Sequence, residues 1–198
     1  LVDNQTLQYI KESNSAVCPN LDDRLFLAKM AFMDLQQDCQ AKGLAVFCYN
    51  PSSLPLLNYL IHSLDIVNLI SNRSQGDFAS QNYVPQNPMT LLLRLYIRVS
   101  SIQVLHNNQF NKINHLTVLI IHQSLIYRIE SEAFAGLYKL CNLTLTVNRL
   151  QHILPKVLTY VPLLQHIDLS YTFLERINAS DFKMNSQLRT VNFAHTYL

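Results

Sequence analysis

The sequence predicts an α/β solenoid: a right-handed coil with a parallel β-sheet on its concave face, closed by a disulfide-containing N-terminal cap with one helix. Three observations predict this fold. Apolar residues return every 24 residues between Leu92 and Leu188, each interval holds the same apolar template, and three of the four cysteines lie before Tyr49. Such a period indicates stacked units, because one short unit cannot bury its apolar side alone.

The repeating units start at Leu92, Leu116, Leu140, Leu164 and Leu188, and an earlier, longer unit is assigned to start at Leu64. Four complete units hold seven template positions each, and 27 of these 28 positions are apolar. Because the whole chain is 49% hydrophobic, chance would fill about half of them. The pattern predicts repeats over residues 64–198, an incomplete last unit, and a cap over residues 1–63.

The template LxxLxLxxNxLxxIxxxxFxxL resembles the leucine-rich repeat family in its 24-residue form. The resemblance implies a short strand at LxL, a turn at the ninth position and a column of Phe on the far side. Asn is usual at the ninth position, where this chain has Asn72, Ser100, Ser124, Asn148, Thr172 and Thr196. Since a hydroxyl makes fewer hydrogen bonds than an amide, we expect a weaker and less regular ladder.

Asn72 carries two interpretations, because it also begins the sequon Asn72-Arg-Ser74. A buried ladder amide cannot carry a glycan, and the ladder interpretation is preferred to glycosylation. The stretch from Ser71 to Thr90, which holds Gly76 and two prolines, is expected to form an irregular loop.

A helix over about residues 21–41 is expected to cover the open end of the first coil. Asn20 and Asp23 offer a helix start, Gly43 can end the helix, and apolar residues recur between them at Leu25, Ala28, Phe32 and Leu35. Packing over the coil is preferred to a membrane or partner role, given the acidic and amide residues of this segment.

The cysteines suit a disulfide-closed cap better than a zinc site, because no metal-ligand spacing is present. If residues 21–39 form one helix, Cys18 and Cys39 lie too far apart to pair. The segment from Cys39 to Cys48 resembles the cysteine hairpin of Toll-like ectodomains, which implies a Cys39–Cys48 bond, with Cys18–Cys48 as the alternative. Cys141, inside a repeat, is interpreted as a free thiol, with a reactive or intermolecular cysteine as the alternative.

Cysteine use and the sequons at Asn4, Asn142 and Asn178 favour the secretory pathway and an extracellular or cell-surface location. No apolar run approaches the ~20 residues of a membrane-spanning helix, so any anchor is expected beyond Leu198. The net charge of +2 is spread along the chain, which indicates no nucleic-acid partner.

Strand residues that point away from the core predict a concave binding surface. Val118 and Ile120, beside Tyr96, form a candidate apolar anchor, although scattered apolar residues on a strand face are also ordinary. Binding on the convex side or a flank remains an alternative, because a glycan on Asn142 would hinder a concave partner. The candidate ligand-binding residues are Arg94, Tyr96, Arg98, Val118, Ile120, His122, Thr144, His166, Asp168, Tyr171, Asn192 and His195.

No catalytic motif, phosphate loop or metal-ligand spacing occurs, so neither an enzyme nor a cofactor or metal is expected. The predicted function is recognition of a protein ligand or co-receptor by a receptor ectodomain or secreted protein. Resemblance to Toll-like and adhesive leucine-rich repeat proteins implies innate immune sensing, cell adhesion or neuronal patterning. The alternatives are a structural or self-assembling matrix protein, with oligomers formed through the open C-terminal end, and an intracellular scaffold.

Overall fold

The computed structural model describes residues 39–42, 45–49, 63–69 and 92–198. One sheet holds eight strands in the order β1-β2-β3-β4-β6-β8-β9-β10, and β5 and β7 form a second, two-stranded sheet. The strands are β1 (Cys39–Lys42), β2 (Ala45–Tyr49), β3 (Ser63–Leu69), β4 (Arg94–Ser100), β5 (Val104–Leu105), β6 (Val118–His122), β7 (Arg128–Ile129), β8 (Asn142–Thr144), β9 (His166–Asp168) and β10 (Thr190–Asn192).

Successive turns of a parallel-strand solenoid stack in the 24-residue register that the sequence predicts. Leu95 pairs with Leu119, Leu119 with Leu143, and Leu143 with Ile167. Helix is scarce in the described residues, which contain the four-residue α1 (Pro155–Leu158) and a 3-10 turn (Ala179–Phe182). The expected solenoid is confirmed, with much less helix than an α/β label suggests.

The C-terminal end of the predicted helix is corrected by β1. Residues 39–41 belong to a strand that pairs antiparallel with β2, and Cys39 stands opposite Cys48. The predicted helix over about 21–41 therefore fails for residues 39–41, and its remainder lies outside the described residues. In the sequence Gly43 directly follows β1, so the signal interpreted as a helix end stands after a strand.

The first unit starts three residues earlier than predicted. Leu64 pairs with Leu95 and Leu69 pairs with Ser100, so Leu64 occupies the fourth template position and Leu69 the ninth. The spacing of Ile61, Leu64 and Ile66 fits LxxLxL as well as the predicted set does, and an apolar pattern alone cannot separate two such registers. Asn72 is therefore not the ladder residue of this unit, and its own structure lies outside the described residues.

The core is one continuous cluster that follows the template columns. Template residues from Leu92 to Leu150 are buried, and Phe110 and Phe134 stack with ring centroids 6.1 Å apart. Asn185, the polar exception, is 3% exposed and donates through Nδ2 to the carbonyl oxygens of Leu158 and Val161 at 3.1 and 2.8 Å. A buried amide is tolerated there because it satisfies backbone oxygens of the preceding turn.

The ninth-position ladder is irregular, as expected. Asn148 Nδ2 contacts the carbonyl oxygens of Ile121, Leu145 and Thr146 at 3.0 to 3.1 Å, and its Oδ1 accepts from the amide of Ile126 at 3.2 Å. The hydroxyl members make fewer bonds: Ser100 and Ser124 lie 2.7 Å apart, whereas Thr172 and Thr196 bond within their own turns.

The eighth position is strained in the same way in the five turns from residue 92 onward. Its φ lies between 52 and 57° in Val99, Gln123, Val147, Tyr171 and His195. Residues with a Cβ rarely adopt this left-handed conformation, and β-branched Val adopts it least readily. The stacked turns thus impose the local backbone, and the strain directs the side chains to the edge of the sheet.

Within the described ranges, no helix has the length and apolar character needed to cross a bilayer.

Candidate functional site

The register gathers the predicted binding residues onto one surface, which we call the strand face. Its first row, at template position 3, holds Arg94, Val118, Asn142, His166 and Thr190. Its second row, at position 5, holds Tyr96, Ile120, Thr144, Asp168 and Asn192. At position 7, Arg98 and His122 are neighbours on adjacent parallel strands. At position 8, Tyr171 and His195 follow the ends of their strands.

Part of this face is closed to solvent, which corrects the expected accessibility. Arg94, Val118 and Asn142 are 4%, 2% and 8% exposed, so Val118 cannot serve as an apolar anchor in this conformation. Ile120 and Thr144 belong to the second row of the same two strands, β6 and β8, and are half-buried. The repeat template does not encode this difference in exposure between the two rows.

Two histidines of the strand face are tied to the next turn. Nδ1 of His122 lies 2.8 Å from Oγ1 of Thr146, and Nδ1 of His166 lies 2.6 Å from Oγ1 of Thr190. Each pair joins residues at the same template position of adjacent turns. These contacts fix the side chains before any partner arrives, which lowers the entropic cost of binding.

Asp168 is likewise engaged within the chain. Its Oδ1 accepts from the backbone amide and the hydroxyl of Ser170 at 2.9 and 2.7 Å, and its Oδ2 accepts from Nδ2 of Asn192 at 3.2 Å. Over the described parts of the chain, no three His, Cys, Asp or Glu side chains are grouped so that they could hold a metal ion. The polar groups of this face thus organise the surface itself.

Next to the strand face runs a more apolar surface, which we call the aromatic edge: Val147, Tyr171, Phe173, His195 and Tyr197. Tyr171, Phe173 and Tyr197 are 56%, 43% and 69% exposed. The rings form two inter-turn pairs, Tyr171 with His195 at a centroid distance of 4.3 Å and Phe173 with Tyr197 at 5.7 Å. Positions 8 and 10 of adjacent turns therefore present a contiguous aromatic surface to solvent.

A groove of about 530 Å³ continues the aromatic edge toward the N-terminal turns. Its lining comes from positions 8, 9 and 10 of four turns and includes Val99, Gln123, Leu125, Arg149 and Phe173. The polar floor is the Ser100, Ser124 and Asn148 ladder. Apolar walls over a polar floor, with one cation at the rim, are typical of a surface that binds a partner.

Phe173 and Tyr197 were not among the residues predicted from sequence. The prediction followed the strand and ended at position 8, whereas these rings lie at position 10, after the ladder residue. A signal was present, because Leu125, Phe173 and Tyr197 repeat at one template position although the template requires no apolar residue there.

The predicted glycosylation sites differ in exposure. Asn142 is 8% exposed, and this burial leaves no room for a glycan. Asn178 and the rest of its sequon are exposed. Asn4 lies outside the described residues.

Cys141 is disulfide-bonded and not a free thiol, which corrects the sequence-based interpretation. Cys48 is also disulfide-bonded. The free-thiol prediction rested on the expected burial of Cys141 inside a repeat. Cys141 is indeed 3% exposed, but a buried sulfur can belong to a thiol or to a disulfide.

Two side chains outside the strand face have shifted pKa values. Burial, assisted by the charge of Lys139, lowers the pKa of His115. The backbone amide of Asn107, 2.9 Å from Oε2, lowers the pKa of Glu130 most strongly, and His106 contributes. Glu130 joins neighbouring turns through Asn107, so we interpret it as structural.

Comparison with known proteins gives a family. The model of the BspA type leucine rich repeat region matches six copies over residues 94–197, just over half of the chain. No curated protein matches the chain. A solved structure, the crystal structure of the TLR13-ssRNA13 complex, is similar at 19% identity and a TM-score of 0.49, covering 69% of this chain. This chain spans about a fifth of that one, 22%. The family match and the strands stacked at a 24-residue repeat show that the chain belongs to the leucine-rich repeat family.

Proposed function

We propose that this chain is an extracellular protein-recognition module, the N-terminal part of a receptor ectodomain or of a secreted leucine-rich repeat protein. It binds a protein ligand or co-receptor across the aromatic edge and the adjoining open part of the strand face. Innate immune sensing, cell adhesion and neuronal patterning are the settings in which such a module would work.

The aromatic edge is the observation that carries this proposal. Tyr171, Phe173 and Tyr197 expose about half or more of their surface, although burying a large aromatic ring is strongly favourable. Clustered exposed rings mark contact surfaces, and Tyr is enriched among residues that dominate interface energies. The edge lies beside a strand face on which His122, His166 and Asp168 are already hydrogen-bonded within the chain, which supports a rigid, preorganised interface.

The proposed partner is a protein because the surface offers apolar area and few charges. Arg149 is the cation of the groove lining, and the described residues show no carboxylate within ion-pair distance of it. A complementary partner would place an apolar side chain against Phe173 and an acidic group near Arg149.

Two features support the extracellular location. Cys48 and Cys141 are disulfide-bonded, and disulfides persist mainly in oxidising compartments. The exposed sequon at Asn178 fits a chain that passes through the secretory pathway.

A binding screen tests the proposal. The oxidised, glycosylated chain would be assayed on a biosensor against purified secreted proteins and cell-surface ectodomains, with Phe173→Ser/Tyr197→Ser as the edge variant. Tyr138→Ser is the matched control, because Tyr138 is 61% exposed and lies outside the edge. We expect a ligand whose affinity falls at least about tenfold with the edge variant and is unchanged with the control.

Other outcomes would favour a different binding site or one of the alternative functions. Equal loss in both variants, or no loss in either, would place binding elsewhere on the solenoid. Concentration-dependent self-association without any captured ligand would favour the structural, self-assembling alternative. A chain that is stable only with reduced cysteines would favour the intracellular scaffold.

A further inference from the structure

The eighth template position carries different residue types on one backbone conformation. It is left-handed in all five turns from residue 92 onward, in Val99, Gln123, Val147, Tyr171 and His195. The turn therefore forms whichever of these side chains it carries, and the fold does not require valine there. Valine is the least favourable of these residues, because a β-branched side chain tolerates left-handed backbone poorly.

The two valines at this position are not core residues. Val99 and Val147 are 38% and 37% exposed, whereas the apolar template columns of their turns form the buried core. Both line the groove beside the aromatic edge. Strained backbone is retained mainly where function uses it, so these valines have the character of contact residues.

The floor and the walls of the groove differ in what they offer a ligand. On the floor, Ser100 and Ser124 are buried and bonded to each other, and buried Asn148 is bonded to backbone. Gln123 and Arg149 are exposed on the walls, and within the described parts of the chain their side chains make no hydrogen bond or ion pair. The walls therefore supply an available amide and an available cation.

The groove has the length and width of an extended chain. It follows four successive turns from Val99 to Tyr171, which are three strand spacings apart, or about 14 Å. Its volume of about 530 Å³ over that length gives a mean cross-section of roughly 38 Å². An α-helix with its side chains, ~10–12 Å across, needs roughly 80 Å² or more. The groove therefore suits about four residues of extended chain.

We propose that the groove binds an extended, acidic segment of the protein ligand, and that Val99 and Val147 are its apolar contacts, held on strained backbone at the expense of stability. The segment places apolar side chains against the two valines, its backbone at the amide of Gln123 and a carboxylate at Arg149. Charge complementarity selects an acidic segment, because none of the described lining residues carries a carboxylate. The inference rests on the proposed function and names the segment that its site recognises.

The loss of stability can be measured without a ligand. Val147→Asn should relieve strain, because Asn adopts left-handed backbone more readily than most residues. Val191→Asn is the matched control, since Val191 is also 37% exposed but lies in β10 without a left-handed φ. We expect the thermal midpoint of Val147→Asn to lie at least about 2 °C above that of Val191→Asn. An equal or lower midpoint would overturn the proposal.

Peptide selection tests the segment itself. Random peptides displayed on phage would be selected on the oxidised full chain, and the recovered peptides synthesised in an acidic form and in a form with the amide in place of each carboxylate. We expect recovered peptides to share an acidic residue close to apolar ones. Fluorescence polarisation should show affinity at least about tenfold lower for the amide form, for Arg149→Gln and for Val99→Asn/Val147→Asn. Arg176→Gln, which removes an exposed cation outside the groove lining, and Val191→Asn should leave affinity unchanged.

Three results would overturn the proposal: no recovered peptide, recovered peptides without a shared acidic residue, or equal affinity for the natural chain and Val99→Asn/Val147→Asn. The biosensor screen judges the proposed function separately. If its ligand loses affinity with Phe173→Ser/Tyr197→Ser but not with Val99→Asn/Val147→Asn, the proposed function stands and the groove inference fails.

Discussion

Tyr171 and His195 stack with their ring centroids 4.3 Å apart and an interplanar angle of 18°, and both occupy the eighth position of their turns. Both residues also have left-handed φ, at 56 and 57°. The solenoid thus repeats a strained backbone to place one side chain above the other. The same repetition places Phe173 against Tyr197, so a surface feature of several turns arises from one local conformation.

Asn148→Ala should destabilise the fold strongly. The amide is 4% exposed and contacts three carbonyl oxygens and one backbone amide of its own and neighbouring turns. Its removal leaves buried backbone groups unsatisfied, which costs about 2 to 3 kcal/mol. Urea unfolding would measure the loss. Thr172→Ser is the control, because its hydroxyl still reaches the carbonyl of Leu169. Similar midpoints for both variants would contradict the ladder interpretation.

Gly136→Ala should also destabilise, for a backbone reason. Gly136 has φ of 94°, and an added Cβ would lie 3.3 Å from Cα of Asn111 in the preceding turn. The strain and the close contact together should cost about 1 to 2 kcal/mol. The thermal unfolding midpoint measures this, with Ser131→Ala in the same turn as the reference. An unchanged midpoint in the glycine variant would mean that the turn relaxes freely.

His115 should make stability depend on pH. Burial and the charge of Lys139 lower its pKa in the folded chain below the ordinary value of 6.5. As pH falls below 6.5, the unfolded chain binds a proton before the folded chain does, so this contribution to stability is lost toward acid. His115→Gln should lose less stability than the natural chain between about pH 7.5 and about pH 5. Parallel curves for the two proteins would rule out this role for His115.

Of the two described sequons, one should carry a glycan and the other should not. Asn178 should be glycosylated when the chain is secreted, because its sequon is exposed, whereas Asn142, 8% exposed, should not be. Ser180→Ala removes the first sequon and keeps Asn178, and Thr144→Ala removes the second. The mobility shift caused by glycosidase treatment should become smaller with Ser180→Ala and stay as in the natural chain with Thr144→Ala. A glycan on Asn142 in the folded, secreted chain would contradict its burial.

Sequence predicted the fold wherever the repeat is regular. The spacing from Leu92 to Leu188 specified the register because each apolar column must face one core. The prediction failed at the edges of that regularity. Leu64 fits two template positions, and Cys39 lies where a helix pattern meets a hairpin. Both choices depend on pairing with a distant strand, which local periodicity does not encode.

The site was predicted in part for a similar reason. Alternation along a strand gave the members of the strand face, and their register is as expected. Exposure was not predictable, because the alternation along a strand gives the side on which Val118 lies and not its burial. Phe173 and Tyr197 were missed because they follow the ladder residue, outside the alternating stretch. Turn conformation, which sets their direction, depends on the stacked neighbours as much as on local residues.

Side-chain footprinting of a bound ligand tests the central claim most directly. Hydroxyl radicals oxidise exposed aromatic rings, and mass spectrometry reports oxidation at each residue with and without the partner. If the aromatic edge is the contact surface, Tyr171, Phe173 and Tyr197 should lose most of their oxidation in the complex, while Tyr138 keeps its own. Unchanged oxidation of the three edge rings in a saturated complex would contradict the account.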